Sequence, residues 1–115
     1  MEKIDALTAL AALAQDNRLD AYRLLVQAGA AGLSAGEIAT KLGIPPNTLT
    51  FHFDRLRHAA LVTVRRDGRS MIYAARYDTM SDLLGYLTEN CCGGASACAP
   101  NPCATTQQKR KAKVR

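Results

Sequence analysis

The sequence predicts a mainly α-helical domain with one small β-hairpin, on three observations. Leucines and alanines recur at helical spacing through residues 3–14 and 16–28. Two short helix-forming runs then flank a Gly- and Pro-bearing break, and two five-residue runs rich in β-formers flank Asp67-Gly68. At 115 residues the chain has length for a single modest core and no second one.

The first helix rests on Leu7, Leu10 and Leu13, an apolar stripe set among alanines of high helix propensity. The second, residues 16–28, repeats the pattern with Leu19, Tyr22, Leu25 and Val26, is opened by Asp16 or Asn17 as cap, and closes near Gly29. Ser34-Ala35-Gly36-Glu37 has the spacing of a capping box and starts a two-turn third helix that ends near Leu42-Gly43. Pro45 and Pro46 cannot continue that helix but can begin another. The fourth helix runs from there to about Ala60, with Leu49, Phe53, Leu56 and Ala60 as its buried stripe.

Val62-Thr63-Val64-Arg65-Arg66 and Arg69-Ser70-Met71-Ile72-Tyr73 then read as strands joined at Asp67-Gly68, a dipeptide that favours a two-residue type I′ turn. Two helices joined by a glycine-bearing turn and followed by a hairpin make a winged helix-turn-helix. A last helix, about Asp78 to Asn90, carries Met80, Leu83, Leu84 and Leu87. That is more apolar surface than so small a core uses, and the first helix has the same surplus. The expectation is a symmetric homodimer paired through its terminal helices, as two-fold operators require.

The formal charge of +5 is supplied entirely by Lys109, Arg110, Lys111, Lys113 and Arg115, and residues 1–108 are balanced at ten Lys/Arg against ten Asp/Glu. Global charge therefore says little about partners, but local clustering does. Between Arg55 and Arg69 five arginines (Arg55, Arg57, Arg65, Arg66, Arg69) face one acid, Asp67, the footprint of a surface that meets phosphates.

At 100° per residue, Asn47, Phe51, Asp54, Arg55 and His58 lie opposite the buried stripe of the fourth helix, with Thr48 and Thr50 flanking them. The expected DNA-contacting set is Asn47, Thr48, Thr50, Phe51 and Arg55 from the helix, for base edges, thymine methyls and phosphates, with Arg65, Arg66 and Arg69 on phosphates or the minor groove from the hairpin. His52 turns toward the protein and is a lesser candidate.

All four cysteines lie behind the last helix, at Cys91-Cys92, Cys98 and Cys103. No basic segment followed by an apolar run opens the chain and no stretch of roughly 18 apolar residues occurs, so a cytoplasmic protein without membrane segments is expected, with thiols kept reduced. Clustered thiolates are the preferred donors for soft ions. The expected organisation is a DNA-binding and dimerisation domain over 1–90, a cysteine-rich metal-binding segment over 91–103 and a basic, disordered tail over 104–115. No nucleophile with a neighbouring histidine and no phosphate loop is evident, so an enzyme is not expected.

Residues 5–90 resemble the ArsR/SmtB family of metal-responsive winged-helix repressors. The likeness is carried in order by residues 10–19 (LAALAQDNRL), by 50–62 (TFHFDRLRHAALV) as recognition helix and exit, and by Arg66-Asp67-Gly68-Arg69 as wing. The family's arsenic-sensing branch usually has Cys-x-Cys where this chain has Ser34 and Gly36, and its zinc-sensing branch uses Asp and His pairs on the last helix, where this chain has no histidine.

What remains resembles arsenic-responsive members whose thiol site has moved to the end of that helix. The resemblance implies that Cys91, Cys92 and Cys98 bind As(III) or Sb(III) as inducer. Three thiolates suit these ions' pyramidal preference, whereas structural zinc takes four ligands. Cys103 as a fourth ligand would make a Cd(II) or Zn(II) site. A redox sensor built on the vicinal pair and a metal-buffering or interaction module that binds no DNA are the other readings.

Overall fold

The computed structural model describes residues 1–94, which form five α-helices, a three-stranded antiparallel sheet and a closing 3₁₀ turn. Helix α1 spans Lys3–Leu13, α2 Asp16–Ala28, α3 Ala35–Leu42, α4 Pro46–His58 and α5 Tyr77–Leu87; strand β1 is Leu33–Ser34, β2 Val62–Asp67 and β3 Ser70–Ala75. The mainly helical, hairpin-bearing fold expected from the sequence is the one found. Cys98, Cys103 and the basic tail lie outside the described residues.

The face that α1 buries is not its leucine stripe. Ala6, Ala9 and Ala12 are the buried residues, while Ile4, Leu7 and Leu10 are 68%, 53% and 40% exposed. Small side chains let α1 approach the body of the domain closely; of the leucine stripe only Leu13, at the helix end, packs against the core. Helix α2 behaves alike: Ala21, Tyr22 and Leu25 are buried, while Leu19 and Val26 stay exposed. Its cap is Gln15 rather than Asp16 or Asn17, and the Gln15 side chain accepts the Arg18 backbone N–H at 3.0 Å.

Helix α3 begins as the sequence expects. Ser34 Oγ accepts from Glu37 N at 3.1 Å, and the Glu37 carboxylate accepts from Ser34 N at 2.9 Å, satisfying two otherwise orphaned donors. The Ser34 backbone N–H and hydroxyl hold the Glu37 carboxyl below its ordinary value. The helix ends on Gly43, whose φ of +67° is the left-handed conformation that lets the chain turn toward Pro45 and Pro46.

Helix α4 buries Leu49, His52, Phe53 and Leu56 and stops at His58, two residues short of the expected end. Ala60 is not a helical core residue: it has φ +61°, and the Ala60 N–H to Arg57 and Leu61 N–H to Leu56 hydrogen bonds complete a Schellman closure. Phe53, Leu25, Ile38, Leu49, Leu56, Leu61 and Val62 are the fully buried side chains at the centre of the core.

In the sheet β3 is central, paired with both β1 and β2. Strand β1, two residues long, was not legible in the sequence. The β2–β3 register ends on the pair Asp67↔Ser70, so the turn is Gly68-Arg69, one residue later than expected. Only Gly68 has a positive φ (+64°), the pattern of a type II′ turn instead of type I′.

Helix α5 starts one residue before and ends three before the expected bounds. Leu83 is its buried anchor, Met80 packs against the core, and Leu87 is 54% exposed. Asn90, with φ +58°, turns the chain into the 3₁₀ turn Cys91–Gly94.

Candidate nucleic-acid interface

The core side of α4 and the wing are locked together. Phe53 stacks on Tyr73 of β3 with ring centres 4.0 Å apart and planes 10° from parallel. Burial raises the Tyr73 pKa, which keeps the phenol neutral. Sequence patterning did not mark this pair, because it joins a helix to a strand through positions that each read as ordinary core.

With one side of α4 fixed, the opposite side is presented to solvent. Asn47, Thr48, Thr50, Phe51 and Arg55 are all exposed, as expected, and so are Asp54 and His58. Thr50 is partly committed, since its hydroxyl donates to the Pro46 carbonyl at 3.0 Å. Arg55 lies over the Phe51 ring, 5.3 Å from its centre, within cation–π range. Asp54 pairs with Arg57 at 3.4 Å; both are exposed and the pair contributes little to stability.

His52 is 6% exposed, as its inward position suggested, and its Nδ1 has no hydrogen-bond partner. Burial, and secondarily the Arg18 charge, lower its pKa, so the ring is neutral near pH 7. In this geometry it is a core residue.

The wing arginines Arg65, Arg66 and Arg69 are exposed. Arg65 donates from Nη2 to the Ala31 carbonyl at 3.1 Å, which ties it back to the loop before β1. Arg66 and Arg69 lie at the hairpin end, beside and within the turn, where they extend the positive surface beyond the helix. A residue that sequence reasoning passed over is Arg18. It rims an open groove of about 830 Å³ with Thr8, Phe51, Asp54, Arg55 and His58, alongside the outward face of α4. Its Nε donates to the Ala12 carbonyl at 2.6 Å. The signal for it was its place at the corner between the first two helices.

Cys91 is half-buried and Cys92 exposed, both in the turn behind α5. Cys92 is disulfide-bonded in this structure. In that state it has no thiolate to donate, so soft-ion capture requires the reduced protein. No group of three or more His, Cys, Asp or Glu side chains suited to a metal occurs among the described residues, and the expected site depends on Cys98, beyond them. No helix among the described residues is long and apolar enough to cross a membrane.

Residues 13–65, from the end of α1 to mid-β2, match a helix-turn-helix domain family. The chain is 38% identical over 77 residues to the HTH-type transcriptional regulator YceK of Bacillus subtilis, an alignment that covers 66% of this chain and 76% of that one. Its fold is similar to an ArsR-like transcriptional regulator from Rhodococcus sp. RHA1, with TM-score 0.66, 22% identity, and 92% and 94% of the two chains covered. It is also similar to Mb0332 of Mycobacterium bovis, described as a homodimeric winged helix-turn-helix DNA-binding domain and possible ArsR-family regulator, with TM-score 0.61, 23% identity, and 80% and 85% covered. The matched motif, the exposed recognition helix and the basic wing agree: the chain belongs to the helix-turn-helix transcriptional regulators and has the winged-helix fold of their ArsR-like members.

Proposed function

We propose that this regulator is a repressor that binds operator DNA as an apo homodimer and lets go when As(III) or Sb(III) is captured by Cys91, Cys92 and Cys98. The observation that carries the reading is the placement of Cys91-Cys92 directly behind α5, a helix that touches α1 and leaves Leu87 uncovered, as α1 leaves Ile4 and Leu7. A dimer closed over α1 and α5 puts the thiols at the edge of the subunit contact. Pulling three sulfurs around one ion there changes how the two recognition helices are spaced. Homodimerisation is supported further by the description of Mb0332.

Two half-sites one helical turn apart demand a fixed distance between the α4 helices, so a small change in dimer geometry is costly for binding. An allosteric coupling of about 1–3 kcal/mol weakens operator binding roughly 5- to 150-fold, and DNA weakens metalloid binding by the same factor. Thiols must shed protons to bind, so capture weakens in acid.

The test is a DNA-shift assay with reduced protein against As(III), Sb(III), Cd(II), Zn(II) and peroxide. Replacing Cys91, Cys92 or Cys98 by Ser abolishes arsenite-induced release and leaves apo binding intact; normal release by all three variants refutes the site. A thiol-redox repressor is the second reading, favoured by the disulfide at Cys92. In that case peroxide releases DNA, dithiothreitol restores it, and arsenite does nothing. Release by Cd(II) or Zn(II) alone, lost on Cys103→Ser, would indicate four-thiolate sensing.

A further inference from the structure

The pair Phe51 and Arg55 is a single unit on the outward face of α4. They lie one helical turn apart, Phe51 is 53% exposed, and the guanidinium carbon of Arg55 stands 5.3 Å from the Phe51 ring centre. Phe51 meets the His52 ring edge-on at 5.7 Å on one side and supports the Arg55 cation on the other. Competing partners are occupied elsewhere: Asp54, the single acid on α4, pairs with Arg57 at 3.4 Å. Among the described residues no carboxylate engages Arg55, so its planar fork of N–H donors is held on a ring yet left open toward solvent.

A guanidinium in that condition has lost rotamer freedom before its target arrives, which lowers the entropic cost of a directional contact. In the major groove, guanine is the base that offers two adjacent acceptors, N7 and O6, to such a fork. Adenine replaces the second with a donor, and the pyrimidines lack the pair. We infer that Arg55 reads one guanine in each operator half-site through N7 and O6, and that Phe51 is the positioning residue that holds it in place for that reading. This rests on the operator-binding function proposed above and adds which base is read and by what.

The experiment uses the full reduced chain. Duplexes are selected from a randomised pool, and each guanine of the enriched site is replaced in turn by adenine or by 7-deazaguanine, which lacks the N7 acceptor. For the wild-type protein, one guanine per half-site is expected to lose about 5- to 150-fold in affinity on replacement by adenine, the range of a good bidentate pair, and to lose affinity with 7-deazaguanine too. Arg55→Lys and Phe51→Ala both flatten that discrimination, and Phe51→Tyr restores it because the ring is kept. Unchanged discrimination in Phe51→Ala overturns the positioning role. A uniform loss across all sequences in Arg55→Lys, with a changed salt slope, makes Arg55 a phosphate contact and overturns the inference. Enriched sites insensitive to guanine replacement refute this inference alone, whereas a wild-type chain that enriches no duplex refutes operator binding as well.

Discussion

Removing the leucines that α1 and α5 leave uncovered tests the proposed dimer. Leu7 and Leu87 are 53% and 54% exposed, so about half of each side chain remains to be covered. Full burial of a leucine is worth about 1.5–3 kcal/mol, so covering the remainder contributes about 1 kcal/mol for each side chain. Two-fold symmetry counts each substitution twice, and alanine keeps a small part of the contact. Leu7→Ala with Leu87→Ala therefore weakens association by about 3 kcal/mol, or about 100-fold in dimer Kd at 1.4 kcal/mol per decade. Sedimentation velocity over a concentration series measures it, with circular dichroism to confirm that each protomer keeps its helices. Operator affinity falls in parallel, because half-sites are bound in pairs. A Kd within about threefold of wild type, or a wild-type chain monomeric throughout, refutes the assignment of this face.

Three further outcomes are expected. Arg66→Ala with Arg69→Ala lowers the salt slope of DNA binding by about two, at about 0.9 for each phosphate contact, and an unchanged slope in titrations between 50 and 200 mM salt removes the hairpin end from the interface. His52 has a native pKa below its ordinary value of 6.5, so the unfolded chain takes up the proton first. Stability is complete above about pH 6.5 and falls as pH drops toward the lowered native value, by at most about 1.4 kcal/mol per unit, and urea unfolding of His52→Leu over the same range lacks this component. Ala60→Gly relieves a left-handed alanine and stabilises the domain by about 0.5–1 kcal/mol, read as a melting temperature higher by roughly 2–6 °C; a lower one contradicts the Schellman closure.

Local chemistry made the DNA-binding half of the fold legible. The Ser34–Glu37 box, Gly43 and Pro46 each act through their own backbone neighbours, so spacing alone placed α3 and α4 within a residue or two. The outward face of α4 followed from the helical period. What failed depended on partners distant in sequence. In α1 the alanines at 6, 9 and 12 and the leucines at 7, 10 and 13 share one spacing, and the closeness of the neighbouring helices turns the alanines inward and leaves Leu7 and Leu10 exposed. Strand β1 is too short to show a period and exists because β3 lies beside it. The turn could sit on either side of Gly68, and the Asp67↔Ser70 pairing chose the later position. At the cysteines residue identity was plain, while Cys98 and Cys103 lie outside the described residues.

The Phe53–Tyr73 stack has a consequence for evolution and engineering. It makes reading rod and hairpin a single rigid implement, so neither part can be re-aimed separately. A chimera that imports a hairpin from a relative should retain its grip on DNA only when positions 53 and 73 are exchanged as a matched couple.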